Sequence, residues 1–463
     1  MNILSKIKSD FVLSEIVKNF DNEIYLVGGS VRDYLMEKES TDRDIIVMDE
    51  DARDFALKLQ QFFDASFVPL DEENKIYRLV LQDKINYIDI TNPQGGSLQK
   101  DLLRRDLTIN ALACNIHTGE IVDITGGITD IKNKCINHIS DENFEDDPLR
   151  LLRVYRFQAL YGFELTAALV EAVCKYASLI QKPAVERINY ELLKLFSGKF
   201  AHVALENMDK TWILEEVFPF VKELKQVPPN SHHHLDLFHH SLETVKQIQL
   251  LYESSSDEIK EHLDSVDFGG FSRLAHLKLA GFMHDIGKFS TWTIEEGKHR
   301  FIKHDDVGSK IADKLLKEMH FSKKQIEYIT MMIKYHIYPS QVMCAPEITE
   351  KIMMRYVRKM ESNSIDAIIL AQADRLSARG EDITDEIVEN NISSLNRLMK
   401  FYLDKRETLK PLPKLLSGND VMKILNIKPS PRLGEILDKL HEAQLSGDVL
   451  TYDQAVSFIK NLL

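Results

Sequence analysis

Asp42 and Asp44 stand two residues apart at the head of the apolar run Ile45-Ile-Val47, a spacing that points two carboxylates the same way from one strand so that they can share divalent cations. Upstream, Gly28-Gly29 ends a strand-like stretch, Glu23-Ile-Tyr-Leu-Val27, and paired glycines let backbone amides come close to a phosphate. A glycine pair alone is usually a turn, and Asp-x-Asp alone is usually a solvated strand end. Here they occur in order around a helix-like segment, 31–36, as one compact β-turn-α-β unit. Such a unit suits metal-assisted transfer of a nucleotidyl group. Asp89, in the strand-like Ile85-Asn-Tyr-Ile-Asp-Ile90, is a third candidate carboxylate. The chemistry needs no covalent intermediate on the protein, and no Ser-His or Cys-His arrangement is invoked.

Asp101-Leu-Leu-Arg-Arg-Asp-Leu-Thr-Ile-Asn-Ala-Leu-Ala113 follows. The order of glycine turn, Asp-x-Asp and Arg-Arg-Asp resembles the polymerase-β-type nucleotidyltransferases, and among them the family of tRNA nucleotidyltransferases and bacterial poly(A) polymerases. The resemblance implies a magnesium enzyme in which Asp42 and Asp44 hold two ions with Asp89 nearby. The RNA 3′-hydroxyl would then attack the α-phosphorus of a nucleoside triphosphate in line, and pyrophosphate would leave. It also implies that Gly28, Gly29, Arg32, Arg104, Arg105, Asp106 and Asn110 contact the sugar and phosphates. Read without the family, Arg104 and Arg105 could simply pair with nearby acids.

In Phe144-Glu-Asp-Asp-Pro-Leu-Arg-Leu-Leu-Arg-Val-Tyr-Arg-Phe157, Asp147 is placed to cap a helix and Pro148 to open it, with Arg150, Arg153 and Arg156 along it. Where the family carries Glu-Asp-x-x-Arg, this chain has Asp146-Asp147-Pro-Leu-Arg150, its first acid shorter by one methylene. By resemblance, Asp147 and Arg150 form a protein template for the incoming base. A carboxylate accepts from the exocyclic amine of cytosine or adenine, a guanidinium donates to the adjacent ring nitrogen, and uracil and guanine offer the opposite pattern. A plain helix cap with Arg150 paired to an acid is the other reading. Val185-Glu-Arg-Ile-Asn-Tyr-Glu191 resembles the family's last motif, which gives Glu186 and Arg187 a role supporting the template.

Full CCA-adding relatives carry a longer flexible segment, rich in Arg, Glu and Tyr, before the Arg-Arg-Asp motif. This chain has only Ile90-Thr-Asn-Pro-Gln-Gly-Gly-Ser-Leu-Gln-Lys100, as in CC-adding specialists, although the loop around Asp71-Glu-Glu-Asn-Lys75 could substitute. The expected activity is tRNA 3′-terminal nucleotidyl transfer from CTP, with use of ATP for the last A left open. Poly(A) polymerase, or an HD-type phosphohydrolase whose head only binds nucleotide, are the alternatives.

A second constellation surrounds Phe282-Met-His-Asp-Ile-Gly-Lys288. With His240 upstream and His304, His336 and Asp374 downstream, the order resembles the HD-superfamily metal phosphohydrolases. It implies that His240, His284, Asp285, His304, His336 and Asp374 hold one or two divalent transition ions, such as Mn, Fe or Ni, which generate a hydroxide nucleophile. His232, His233, His234 and His239 beside His240 leave the first ligand open.

The elements that must position these groups give an α+β fold. A small mixed-sheet nucleotidyltransferase head (1–135) is followed by an elongated all-helical neck with the template motif (136–225), a helical HD body (226–400) and a helical tail for tRNA contact (401–463). Two short helices are expected in the tail, from about 417 and 431. The 463 residues, 44% of them hydrophobic, suffice for about three packed domains. A formal net charge of −14 excludes generic nucleic-acid binding. RNA contact must then come from local cations such as Arg150, Arg153, Arg156, Lys194, Lys199 and the stretch Lys405 to Lys414, giving salt-sensitive, shape-directed tRNA binding. The four cysteines lack Cys-x-x-Cys spacing and read as reduced thiols. With no apolar run long enough for a bilayer and no signal-peptide core, a cytoplasmic enzyme without a membrane partner is expected.

Overall fold

The computed structural model describes residues 3–231, 233–345, 347–406 and 413–462. His232 and the part of the basic stretch from 407 to 412 lie outside the described residues. The chain divides into two compact units, Met1–Phe218 and Pro219–Leu463.

The first unit is built on a seven-stranded sheet. Its strands are β1 (Ile24–Val27), β2 (Asp44–Val47), β3 (Ser66–Asp71), β4 (Ile76–Val80), β5 (Tyr87–Thr91), β6 (Leu112–Asn115) and β7 (Ile121–Asp123), in the order β3-β4-β5-β2-β1-β6-β7. Neighbours run antiparallel except β2 and β5, which are parallel. Leu26, Val27, Ile45, Ile46 and Val47 are all buried, so the central strands read as continuous apolar runs rather than as alternation. The helix Ala52–Phe63 packs on this sheet through Phe55, Ala56 and Leu59. Beyond the sheet, the helices Arg150–Tyr161, Val185–Ser197 and Ala201–Lys210 pack together. A short parallel pairing of Cys135–Ile136 with Glu164–Leu165 ties the chain on either side of residue 150.

The helix after the acidic run opens at Arg150, not at Pro148. Asp147 instead has an extended backbone and its Oδ1 accepts from the Leu149 amide at 3.3 Å. It therefore closes a tight lead-in turn ahead of the helix, because the fixed φ of Pro148 suits that turn as well as a first helical position.

In the second unit, the helices Leu237–Ser254, Arg273–Met283, His304–Glu318, Lys323–Tyr335 and Ser364–Ser377 form the core. The helix Arg273–Met283 is buried over its whole length. A β-hairpin, Trp292–Glu295 with Lys298–Phe301, interrupts a region that the sequence predicts as helical throughout. Glu296 and Gly297 take positive φ at its turn, and two four-residue strands give too short a period-2 signal to notice. Among the described residues, the tail has three helices, Gly418–Leu425, Pro431–Leu445 and Tyr452–Lys460, around a core that includes Val421, Ile436, Leu440 and Ile459. The third, absent from the sequence expectation, starts at a capping box of Thr451 and Gln454. Among the described residues, no helix is long and apolar enough to cross a membrane.

Gly287 lies where the chain crosses the helix His304–Glu318. A Cβ there would sit 2.1 Å from the His304 carbonyl oxygen and 2.5 Å from the Gly308 nitrogen. Both are backbone atoms and cannot swing away, so Gly287→Ala is expected to destabilise the second unit by about 2 kcal/mol or more. Calorimetry should show its transition lowered by several degrees.

Candidate active site and metal centre

The parallel register of β2 and β5 sets Asp44 beside Asp89. Asp42 precedes β2, with its carbonyl accepting from Ser30 Oγ at 2.5 Å and its Oδ1 accepting from the Tyr87 hydroxyl at 2.6 Å. Burial, together with the Asp89 and Asp42 charges, pushes the Asp44 carboxyl up to about 6 against the pull of Arg105 and Arg78. A divalent cation would relieve this accumulation of negative charge, and the carboxylate donors suit a hard ion. Asp89, the third candidate carboxylate, stands beside Asp44 and is engaged by an arginine. Arg78, its cross-strand partner, donates Nε and Nη2 to the two carboxylate oxygens, each at 2.7 Å. The third carboxylate is thus committed to an ion pair, and it does not line the cavity that Asp42 and Asp44 face.

That cavity, about 840 Å³, gathers the head motifs and the helical motifs on one wall system. At its edge Gly28 has φ 72° and ψ −128°, and a Cβ there would meet Arg105 Nη1 at 2.7 Å. The positive φ favours glycine, while the contact is with the end of a flexible side chain that could move aside. The helix Gly29–Leu35 starts at this point, and the first amides of a helix have no intrahelical acceptor, an arrangement suited to phosphate. Arg104 and Arg105 also line the cavity. Arg105 is aimed by Asp101, whose Oδ2 accepts from Nη2 at 3.0 Å.

Arg32, Asn110, Asp106 and Arg153 form one buried chain of bonds. Arg32 Nη1 donates to Asn110 Oδ1 at 2.5 Å, Asn110 Nδ2 to Asp106 Oδ1 at 3.0 Å, and Arg153 Nε to Asp106 Oδ2 at 2.6 Å. Burial alone would raise the Asp106 carboxyl, but Arg153, Asn110 and the Leu107 amide hold it at about 2. The Arg32 guanidinium also lies 5.1 Å from the ring centres of both Phe157 and Tyr161, and Arg156 is held by both oxygens of Glu191.

Asp147 and Arg150 line the same cavity but are not paired with each other. Asp147 Oδ2 accepts from Arg187 Nη2 at 3.0 Å, while Arg150 Nη1 donates to the Asn143 carbonyl at 2.9 Å. Glu186 and Arg187 also line the cavity, Arg187 holding Asp147 from there. Sequence reasoning passed over three further participants: Arg78, Tyr87 and Tyr190. Only Tyr190 had a signal, since it follows Arg187 by three residues and so shares its helix face. The segment 92–97 is compact and tied down. The Gln94 amide donates to Asp101 Oδ1 at 3.1 Å, and its side chain donates to the Asn74 carbonyl at 2.7 Å, which pins the 71–75 turn as well.

The second unit brings its six expected residues together. His240, His284 and Asp285, then His284, His336 and Asp374, then Asp285, His304 and His336 form triads whose ligand atoms lie within 4.8 Å of one another. His284, His304 and His336 each have Nδ1 2.7 to 2.8 Å from a backbone carbonyl, of Gly281, Phe301 and Ile333. Each Nδ1 must therefore carry a proton; in a neutral ring, as His336 is held, this leaves Nε2 as an acceptor facing inward, whereas despite burial Asp285 and Asp374 raise His284 to about 10 and keep it charged until an ion replaces its second proton. His304 Nε2 and His336 Nε2 then confront each other at 3.3 Å, a repulsive contact that a cation between them would resolve. Burial and the charge of His284 push His336 down to about 4, and despite burial the surrounding imidazoles and Lys288 keep Asp285 well below the carboxylate range. Of the neighbouring histidines, His239 pairs with Asp236 on the surface and His233 Nε2 sits 3.1 Å from Lys288 Nζ, so His240 is the one in the cluster.

Family models match the chain in three stretches. The Poly A polymerase head domain matches residues 24–137, the probable RNA and SrmB-binding site of polymerase A matches 162–225, and the HD domain matches 237–379. A CC-adding tRNA nucleotidyltransferase of Thermus thermophilus is 29% identical over 94% of this chain and 93% of its own length. An A-adding tRNA nucleotidyltransferase of Deinococcus radiodurans is 28% identical over 94% of both. A multifunctional CCA protein of Haemophilus influenzae is 31% identical over 68% of this chain and 74% of its own. A solved complex of a CCA-adding enzyme with CTP shares the fold, with a TM-score of 0.61 and 20% identity over 99% of this chain and 97% of its own.

The raised Asp44 carboxyl has a consequence for stability. Its ionisation opposes folding, fully above pH 6 and not at all below the ordinary range near 3.8. Asp44→Asn removes that cost, so the metal-free variant should be more stable than the parent by about 1 to 3 kcal/mol at pH 8. The gain should fade as pH falls from 6 to 4, as thermal midpoints across pH will show.

Proposed function

Since this chain belongs to the family of tRNA nucleotidyltransferases and poly(A) polymerases, we propose that it adds CMP units to the 3′ end of tRNA without a nucleic-acid template and stops before the final A. The observation that carries the product reading is the segment 92–97, short and fastened at Gln94 to both Asp101 and Asn74. A segment so short and so held is poorly suited to reshape the pocket between one base and the next.

Magnesium ions bound by Asp42 and Asp44 would activate the RNA 3′-hydroxyl and neutralise the triphosphate. The residues of the chain do the rest. Ser30 and Tyr87 orient Asp42, and the Arg78–Asp89 pair moderates the charge around Asp44. Arg105, aimed by Asp101, offers its free donors to the triphosphate, and the amides at the start of the helix Gly29–Leu35 approach the phosphates. The chain from Arg32 to Arg153 braces the sugar pocket rather than spending its charges on the nucleotide. Asp147 accepts from the amine of cytosine beside its bond to Arg187, since a carboxylate has about four lone-pair sites, and Arg150 donates to the ring nitrogen.

Purified protein with magnesium, CTP and ATP, given transcripts ending at the discriminator base, at C and at CC, tests this. Addition of two C residues and no A is the expected result. Completion to CCA would overturn the CC-only reading, and A addition without use of CTP would move the protein to the A-adding or poly(A) side of the family.

The cluster in the second unit supports a separate reaction, metal-dependent hydrolysis of phosphate esters. Manganese or nickel bound there would supply a hydroxide nucleophile. Asp285→Asn is expected to lose metal binding and any hydrolysis of p-nitrophenyl phosphate or 2′,3′-cyclic AMP while CMP incorporation persists. Metal content by elemental analysis and the two assays together check it.

A further inference from the structure

Two aromatic side chains line the cavity among the described residues, and they differ in what they are doing. The Phe157 ring is buried, with the guanidinium groups of Arg156, Arg32 and Arg153 at 4.3, 5.1 and 5.7 Å from its centre. Tyr190 is 51% exposed, unusually open for a large side chain in the wall of a site, and the Lys194 ammonium lies 4.4 Å from its ring centre. Its position along the helix Val185–Ser197 is informative. Arg187, three residues earlier, bonds Asp147, so Tyr190 lies nearly one turn further along the same helix face as the arginine that holds the carboxylate proposed to read the incoming base. The ring is therefore a neighbour of the template, next to a cation suited to a backbone phosphate.

We infer that Tyr190 is the stacking platform for the terminal base of the acceptor RNA, with Lys194 beside it for the phosphate. This deepens the transferase reading and rests on it. The RNA must bring its last nucleotide against the incoming one for its 3′-hydroxyl to reach the α-phosphorus, and a stack of incoming base, terminal RNA base and tyrosine ring closes the far side. Aromatic stacking accepts any base, as a site must that meets the discriminator nucleotide in one round and cytosine in the next.

The test is steady-state CMP incorporation by the full chain, with tRNA and CTP varied separately. Tyr190→Ala lies at an exposed helical position and should fold, since alanine is the best helix former. Its KM for tRNA is expected to rise by about tenfold, the low end of what one base–aromatic stack is worth, with little change in KM for CTP. Tyr190→Phe and Tyr190→Trp should restore it, because a ring is what the base needs. An unchanged KM for tRNA in the alanine variant, or a rise confined to CTP, would overturn the inference. Failure of the unaltered chain to incorporate CMP at all would instead overturn the transferase reading, and this with it.

Discussion

Three carboxylates crowded at the ends of two parallel strands set the terms for the first unit. Asp42, Asp44 and Asp89 repel one another although Asp42 is exposed and the other two are only half-buried, and Asp44 at about 6 records the cost. Everything close by answers that repulsion. Arg78 takes both oxygens of Asp89, Tyr87 donates to Asp42, and Arg105 leans in from the Arg-Arg-Asp segment. The register of β2, β5 and β4 decides which acid meets which donor. A slip of one residue would turn each side chain to the opposite face and leave the acids uncompensated.

The same logic extends away from the acids. Asp106 is buried, yet it stays ionised because Arg153 arrives from a helix 47 residues later in the chain. That ion pair, continued through Asn110 to Arg32, locks the sheet-bearing part of the unit to the helix Arg150–Tyr161 that carries Arg150. A buried pair of this kind adds little net stability but is costly to break from one side. Its value lies in geometry, since it fixes the distance between the walls proposed to hold the phosphates and to read the base. The second unit solves a related problem with imidazoles, whose Nδ1 bonds to backbone carbonyls set the rings before any ion arrives.

What the sequence disclosed was local. The Asp-x-Asp pair, the glycine turn and the Arg-Arg-Asp and HD segments each fall within a dozen residues, where spacing maps directly onto a strand or a helix. Pairings between elements were illegible. That Asp89 belongs to Arg78 depends on strand register, that Asp147 belongs to Arg187 depends on two helices meeting, and the choice of His240 over its neighbours depends on which face of a helix turns inward. The hairpin at 292–301 and the third tail helix were missed for a different reason: short elements give little periodicity, and the cap that starts the helix is a pattern of two polar residues.

In the template role proposed for Asp147, its bond to Arg187 means that the resting pocket already holds a cationic donor against the carboxylate that would read the base. An entering base must compete with that donor or share the carboxylate with it. Cytosine brings an amine and can do so, whereas uracil brings a carbonyl oxygen and would gain nothing for disturbing the pair. Rejection of the wrong pyrimidine is thus built into the ligand-free state as an incumbent rather than as a collision, and discrimination reduces to a difference between two occupants of a single acceptor.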